Sequence, residues 1–147
     1  MNSESYDDIS IPWEELEREL LRLPSPYVDD RGSIQPVIDR TVSSCVYITS
    51  NPRAIRGNHY HKGDWHYSYV VSGVMKYFSR PAGSTEKPDL LVVEAGQMIF
   101  TPPQVEHAML FPEARTFLAF GSKTRQQEAY EEDLVRVELI NGTTIES

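Results

Sequence analysis

The sequence predicts an all-β fold, a closed barrel or jelly-roll sandwich, preceded by one short amphipathic helix. Two observations lead to this class. From Ser33 onward the chain reads as ten short runs, rich in β-branched and aromatic residues and near-regular in spacing. Turn-forming pairs such as Asn51-Pro52 and Ser72-Gly73 separate these runs. Many short strands in one domain favour closure, because a closed sheet leaves no exposed edges.

The helix is predicted over residues 12–23, where apolar residues recur at helical spacing. Pro12 occupies a first-turn position and Pro24 ends the pattern, since proline is tolerated in the first turn of a helix but not in its interior. The apolar stripe consists of Trp13, Leu16, Leu20 and Leu23. We expect residues 1–32 to form this helix and a lead-in, and residues 33–147 to form the barrel as a single domain.

The ten predicted strands follow one another along the rest of the chain. They are Ser33–Ile38, Ser43–Thr49, Asn58–His61, His66–Ser72, Val74–Ser79, Leu90–Glu94, Gln97–Thr101, Glu106–Phe111, Thr116–Gly121 and Leu134–Ile140. The acidic segment 126–133, between the last two runs, is expected to be a helical turn or a loop.

Length and charge restrict the classes of function. The 147 residues are enough for one domain with its own core. The formal net charge of -8 repels phosphate backbones and anionic lipids, which argues against nucleic-acid and membrane partners. The first residues lack the basic and apolar regions of a signal peptide, so a cytoplasmic location is expected. Cys45 is the only cysteine, which excludes an internal disulfide.

The four histidines of the chain point to a metal site. His59 and His61 are two residues apart, so their imidazoles share one face of a strand. His66 follows after a turn, at the start of the next run, and His107 begins a later run. Because every histidine falls at such a strand-turn position, we predict that all four bind one divalent metal. Imidazole ligands suit Zn, Fe, Ni, Mn or Cu, and the sequence does not choose among them.

Alternation along the strands predicts what surrounds these histidines. Ser68 and Val70 follow His66 on the inner face of the barrel, and Met109 and Phe111 follow His107. These four residues are the predicted wall of a mostly apolar substrate pocket. The residues expected at its mouth are Arg56, Lys62, Asp64, Trp65 and Glu106.

Two segments resemble the two sequence motifs of the cupin superfamily. Gly57 to Gly73 resembles the first, which has a glycine, His-X-His, a further ligand and a closing glycine. Gly96 to His107 resembles the second, which has a glycine, a proline and a histidine. The chain departs from the motifs at His66 in place of glutamate, Gln104 in place of glycine and Phe111 in place of asparagine. The resemblance implies a double-stranded β-helix, the cupin jelly-roll barrel, that holds a divalent metal.

Two shorter strings resemble a narrower group of cupins. Arg56-Gly57-Asn58-His59 and Asp30-Arg31-Gly32 are similar to segments of the 3,5-epimerases and 3,4-ketoisomerases of nucleotide-linked 4-keto-6-deoxyhexoses, and of the metal-binding cupin domain of capsule-synthesis enzymes. The resemblance implies that Arg56 holds a diphosphate oxygen and that His59 abstracts the proton next to the ketone.

These two roles of His59 conflict, because a metal-bound imidazole has no free lone pair with which to take a proton. Either the site is metal-free with His59 as the base, or a metal stabilises the enolate and Glu106, Lys62 or Tyr69 moves the proton. The acid tyrosine of the family has no clear match, and Tyr130 in the acidic segment is a poor one.

The sequence leaves three functions open. The first is epimerisation or ketone isomerisation of a nucleotide-linked sugar, in cell-surface polysaccharide or deoxysugar synthesis. The second is a metal-dependent dioxygenase or lyase acting on a small molecule, supported by the apolar inner face and redox-capable ligands. The third is a non-catalytic module that binds metal or sugar. A homodimer is the expected assembly.

Overall fold

The computed structural model describes residues 20–21 and 23–142, and in this part of the chain it contains twelve strands and one short helix. In chain order they are β1 Leu20–Leu21, β2 Tyr27–Asp29, β3 Gly32–Ile34, β4 Ser44–Ser50, β5 Ala54–His61, β6 His66–Ser72, β7 Val74–Pro81, β8 Asp89–Glu94, β9 Met98–Thr101, β10 Val105–Phe111, β11 Arg115–Gly121, α1 Gln127–Asp133 and β12 Leu134–Arg136. No helix among these residues is long and apolar enough to cross a membrane.

Two antiparallel five-stranded sheets make up the barrel. One has the strand order β1-β9-β6-β11-β4 and the other β12-β5-β10-β7-β8, while β2 and β3 pair as a separate hairpin. The predicted all-β class is confirmed, and each of the ten predicted runs overlaps an observed strand. The acidic segment after β11 contains α1, the helical alternative of the prediction. The predicted domain boundary at residue 33 falls inside the hairpin.

The predicted N-terminal helix is not observed in the part of its range that the structure describes, residues 20, 21 and 23. Leu20 and Leu21 form β1, which pairs with Ile99 and Met98 of β9. The edge of β9 has backbone groups that need partners, and an extended segment supplies them where a helix would not. Residues 12–19 and 22 of the predicted helix lie outside the described residues.

The core lies between the two sheets and is built by alternation. In β7, Met75, Tyr77 and Ser79 are buried while the residues between them are only partly buried. The main cluster contains Val70, Met75, Tyr77, Val93, Ile99, Met109, Phe111, Phe117 and Ala119. Burying each large apolar side chain stabilises the fold by about 1.5–3 kcal/mol. This cluster also forms the floor of the cavity described below, through Met109, Phe117 and Ala119.

Strand β10 is buried along its whole length because both of its faces are covered. Ala108 and Leu110 pack against Leu139 and Ile140, which follow β12. The side-chain oxygen of Asn58 accepts hydrogen bonds from the backbone N–H groups of both Leu139 and Ile140. The end of the described chain is thereby fastened to β5, the strand that carries His59 and His61.

Gly57 lets β5 approach β10 closely next to the histidines. Its φ is +84°, and a Cβ at this position would lie 2.9 Å from the His107 carbonyl oxygen and 3.1 Å from the Ala108 Cα. The register between the two strands shifts at the same place, between His107 and Ala108. Glycine is required here both for the left-handed backbone and for the space.

Replacing this glycine tests the requirement. Gly83 has the same φ of +84°, but nothing lies within 4 Å of the point that a Cβ would occupy, so Gly83→Ala carries only the backbone strain, about 1–2 kcal/mol. Gly57→Ala carries this strain and a backbone clash, and we expect it to lower the free energy of unfolding by at least ~1 kcal/mol more. Urea titrations of the two variants measure the difference. Equal losses would show that the approach of β5 to β10 is not tight.

Candidate active site

Three histidines converge from neighbouring strands of one sheet. His59 and His61 lie on β5, and His107 on β10 is the register partner of His59. The ring centroid of His59 lies 4.9 Å from that of His61 and 4.7 Å from that of His107. One nitrogen from each ring falls within 4.8 Å of the other two, close enough for a shared metal ion.

His66 reaches the same region from β6, in the facing sheet. Its ring centroid lies 4.6 Å from that of His61, so all four predicted ligands lie near one another. Their donor atoms nevertheless form two overlapping groups. One contains His59, His61 and His107, and the other contains His61, Asp64 and His66. The structure therefore does not bring the four donor atoms into one group.

Hydrogen bonds fix the tautomers of two of these rings. Nδ1 of His61 lies 3.1 Å from a carboxylate oxygen of Asp133, and Nδ1 of His107 lies 3.1 Å from the Val105 carbonyl oxygen. Both oxygens only accept, so each Nδ1 carries the proton and each Nε2 keeps its lone pair. Nε2 of His61 is buried and has no hydrogen-bond partner among the described residues. Such an orientation of imidazoles is typical of metal ligands.

Burial keeps these three imidazoles neutral. Loss of hydration and, to a smaller extent, the neighbouring histidines together lower the pKa of His59 to about 2. Burial likewise lowers the pKa of His107 to about 3, although its bond to Val105 opposes the shift. The pKa of His61 falls to about 4, because burial outweighs the attraction of Asp64 and Asp133. At neutral pH all three lone pairs are available to a cation.

His66 has a different hydrogen-bond partner and therefore a different tautomer. Its Nε2 lies 2.8 Å from a carboxylate oxygen of Asp64 and must carry the proton. The other oxygen of Asp64 accepts hydrogen bonds from the Ser122 N–H and hydroxyl groups and from the Lys123 N–H. Burial raises the pKa of Asp64, but the bonds from His66 and Ser122 outweigh it and the pKa is lowered. Asp64 is thus a buried, ionised carboxylate and not the mouth residue that the sequence predicts.

A cavity of about 130 Å³ opens beside the histidines. Of the predicted pocket residues, Arg56, Ser68 and Met109 line it, as do His59, His66 and His107. Val70 and Phe111 do not line it and lie deeper, in the main core cluster. Alternation predicted the correct face for these two side chains, but the cavity ends before it reaches them.

The three groups proposed to move a proton lie outside this cavity. Glu106 alternates with His107, and its carboxylate accepts hydrogen bonds from Arg80 at 2.8 Å and from the Gly83 N–H at 3.0 Å. Lys62 is exposed in the turn after β5. Tyr69 lies on the opposite face of β6 from Ser68 and packs against the aromatic cluster that contains Trp65. The geometry brings none of the three to the cavity.

The segment after β11 supplies Arg125 and Asp133, which the sequence did not predict as site residues, and Tyr130, which it offered only as a poor match for the acid tyrosine. Arg125 and Tyr130 line the cavity, with the Arg125 guanidinium 4.2 Å from the centre of the Tyr130 ring. The Tyr130 ring lies 5.4 Å from that of His61. Burial raises the pKa of Tyr130, although Arg125 lowers it, so the phenol is neutral and can donate a hydrogen bond. Asp133, at the end of α1, orients His61.

The sequence matches no protein-family model and no curated protein. Solved structures share its fold. QdtA, a sugar 3,4-ketoisomerase from Thermoanaerobacterium thermosaccharolyticum solved with TDP, is 20% identical over 80% of this chain and 86% of its own, with a TM-score of 0.66. A 3,4-ketoisomerase from Helicobacter canadensis is 16% identical over 82% and 91%, with a TM-score of 0.69. The dTDP-4-dehydrorhamnose 3,5-epimerase from Sulfolobus tokodaii is 16% identical over 77% and 79%, with a TM-score of 0.60.

These neighbours are cupins. The chain has the cupin fold. Gln104, which stands where the second cupin motif has glycine, adopts the left-handed backbone that glycine favours, with a φ of 65°. Its N–H donates to the His61 carbonyl and its side-chain amide donates to the Lys62 carbonyl. These bonds offset the backbone strain and tie the turn before β10 to the end of β5.

Asp133 provides a test of how the site is held together. Its carboxylate accepts hydrogen bonds from His61 and from the backbone N–H groups of Gly63 and Asp64. Asp133→Ala leaves three donors without this partner, and we expect it to lower the free energy of unfolding by about 2 kcal/mol or more. The neighbouring Glu132 is exposed, and Glu132→Ala should change stability by less than ~0.5 kcal/mol. Similar urea midpoints for both variants would contradict this role of Asp133.

Proposed function

We propose that this chain isomerises a nucleotide-linked keto-deoxyhexose, as a 3,4-ketoisomerase or a 3,5-epimerase, with a divalent metal bound by His59, His61 and His107. One observation carries the proposal. Three neutral imidazoles converge, and two of them, His59 and His107, line a cavity that also has a neutral phenol, Tyr130, and a guanidinium, Arg56. This is a combination of groups suited to chemistry next to a ketone.

The described residues fit a metal ion. The lone pairs of His61 and His107 are on Nε2, since Nδ1 of each ring is bonded to an acceptor. The Nε2 atom of His61 is buried without a partner among the residues described, a costly arrangement that a cation would relieve. Imidazole ligands suit Zn²⁺, Fe²⁺, Ni²⁺, Mn²⁺ or Cu²⁺. When bound, such an ion would act as a Lewis acid toward a carbonyl oxygen.

The proposed reaction needs a base, a stabilised oxyanion and a fixed sugar ring. The base takes the proton from the carbon next to the ketone. The electron pair of that C–H bond forms a carbon–carbon double bond, and the carbonyl electron pair moves to the oxygen. The Tyr130 hydroxyl, kept protonated by its raised pKa, donates a hydrogen bond to this oxygen. Return of a proton to the same carbon or to its neighbour completes the epimerisation or the ketoisomerisation.

The mouth of the cavity supports an anionic substrate. Arg56 and Arg125 both line it, although the chain as a whole has a net charge of -8. Arg56 is held by hydrogen bonds from Nε to the Ser50 hydroxyl and from Nη2 to the Thr49 carbonyl. Its remaining nitrogen, Nη1, has no partner among the described residues and can bind a diphosphate oxygen. A cavity of about 130 Å³ suits the sugar alone, so the nucleotide would lie outside it.

Neighbours of the same fold support this choice of substrate. QdtA was solved with TDP, and a variant of it with TDP-4-keto-6-deoxyglucose. The fold alone does not establish an activity. The agreement of the cationic mouth with a diphosphate-linked sugar is the independent reason to extend this substrate class to the present chain.

Deuterium exchange tests the proposal. In D₂O the metal-loaded protein should introduce deuterium next to the ketone of a TDP- or UDP-linked 4-keto-6-deoxyhexose, as followed by NMR. Removal of the metal by a chelator should slow the exchange by roughly a hundredfold or more, because the oxyanion loses several kcal/mol of stabilisation. Restoring the metal should restore the rate.

An arginine variant provides the substrate control for the same experiment. Arg56→Ala should raise KM by about tenfold, since a charge-assisted hydrogen bond is lost. Lys87→Ala, in an exposed loop away from the cavity, should leave KM unchanged. Absence of exchange on every such sugar would contradict the proposal, and oxygen consumption with an Fe²⁺- or Cu²⁺-loaded sample would point to a dioxygenase instead.

A further inference from the structure

We propose that His66 is not a metal ligand and that it is the base that moves the substrate proton, with Asp64 as its positioning residue. The identity of the substrate rests on the proposed function. The exclusion of His66 from the ligand set does not rest on the proposed function, because it follows from the geometry of the Asp64–His66 pair. The proposal assigns the ligand and base roles, which conflict at His59, to different histidines.

The orientation of the His66 ring is the first step. Its Nε2 donates to Asp64 at 2.8 Å, so in the neutral ring the lone pair is on Nδ1. The edge of the ring that carries Nε2 and Cδ2 lies against Gly121, where a Cβ would be 3.1 Å and 3.0 Å from these atoms. His66 also lines the cavity. With one edge against β11, the edge that carries the Nδ1 lone pair is the one free to face a bound sugar.

The Asp64 carboxylate oxygen that binds His66 depends on this hydrogen bond. Asp64 is 2% exposed, and three donors from Ser122 and Lys123 occupy its other oxygen. Turning His66 to bring Nε2 to a metal would leave a buried carboxylate oxygen unpaired, which is costly. A metal held by His61, Asp64 and His66 would instead require His66 Nε2 to lose the proton that it donates to Asp64. The ring is therefore fixed in the orientation of a base, as in other Asp–His pairs.

The other three histidines, His59, His61 and His107, are the proposed metal ligands. The chain has four histidines, and three of them offer lone pairs that converge on one point. A metal at that point occupies those lone pairs and leaves Nδ1 of His66 as the one imidazole lone pair for proton transfer. Separate histidines then bind the metal and move the proton.

The proton balance of the step is simple. His66 Nδ1 takes the proton from the carbon next to the ketone and becomes an imidazolium, which the Asp64 carboxylate stabilises. The C–H electron pair forms the carbon–carbon double bond, and the carbonyl pair becomes the lone pair of an enolate oxygen. In a ketoisomerisation, His66 returns the proton to the former carbonyl carbon, while the proton of the neighbouring hydroxyl moves to the enolate oxygen. No external oxidant or reductant is needed.

Metal content and exchange, measured on the same samples, test the proposal. His66→Gln keeps a side-chain amide that can donate to Asp64 but has no basic nitrogen. We expect it to bind as much Zn²⁺ per chain as the unaltered protein, while the rate of deuterium exchange falls by about a hundredfold or more with little change in KM. The matched control, His107→Gln, should lose the metal. Ser122→Ala removes one donor to Asp64 and should lower kcat by a few-fold, with metal content unchanged.

The outcomes separate the two proposals. Loss of metal from His66→Gln to the level of His107→Gln would show that His66 is a ligand and overturn the inference. Full metal and full exchange in His66→Gln would overturn its role as base. If the unaltered protein exchanges no sugar, the proposed function fails and the base role fails with it, but the metal contents still decide whether His66 belongs to the ligand set. If His66→Gln does not fold, His66→Asn is measured in its place.

Discussion

The site depends on the burial of four imidazole rings within a few ångströms of one another. For His59, His61 and His107, burial makes the positive form unfavourable, and their pKa values fall to between about 2 and about 4. Neutral imidazoles each have one proton and one lone pair. The acceptors around them, Asp133, Val105 and Asp64, decide which nitrogen keeps the lone pair, and this choice determines the chemistry of each ring.

The two carboxylates give the rings opposite tautomers. Asp133 binds Nδ1 of His61 and leaves Nε2 for a metal, whereas Asp64 binds Nε2 of His66 and leaves Nδ1. Both carboxylates also accept backbone N–H groups, so they stabilise the turn between β5 and β6 and the segment after β11. The same contacts that hold the fold together at this end therefore orient the site.

Much of this arrangement could be predicted from the sequence, because it depends on local spacing. The two-residue separation of His59 and His61 defines one face of a strand, and alternation correctly placed Ser68 and Met109 beside the cavity. Glu106, which is expected at the mouth, alternates with His107 and instead accepts hydrogen bonds from Arg80 and Gly83. The contact of Asp133 with His61 spans 72 residues and has no local pattern. Tyr130 and Arg125 reach the cavity only because the segment after β11 folds back over its mouth. The depth at which Val70 and Phe111 lie depends on the packing of both sheets.

The central claim is that three imidazoles, not four, form the metal site, because Asp64 holds the fourth away from it. X-ray absorption spectroscopy of the Zn²⁺-loaded protein counts these ligands directly. The account predicts three imidazole nitrogens at about 2.0–2.1 Å, with non-imidazole oxygen completing the coordination, and the same spectrum for His66→Gln. A spectrum with four imidazoles that falls to three in His66→Gln would contradict it.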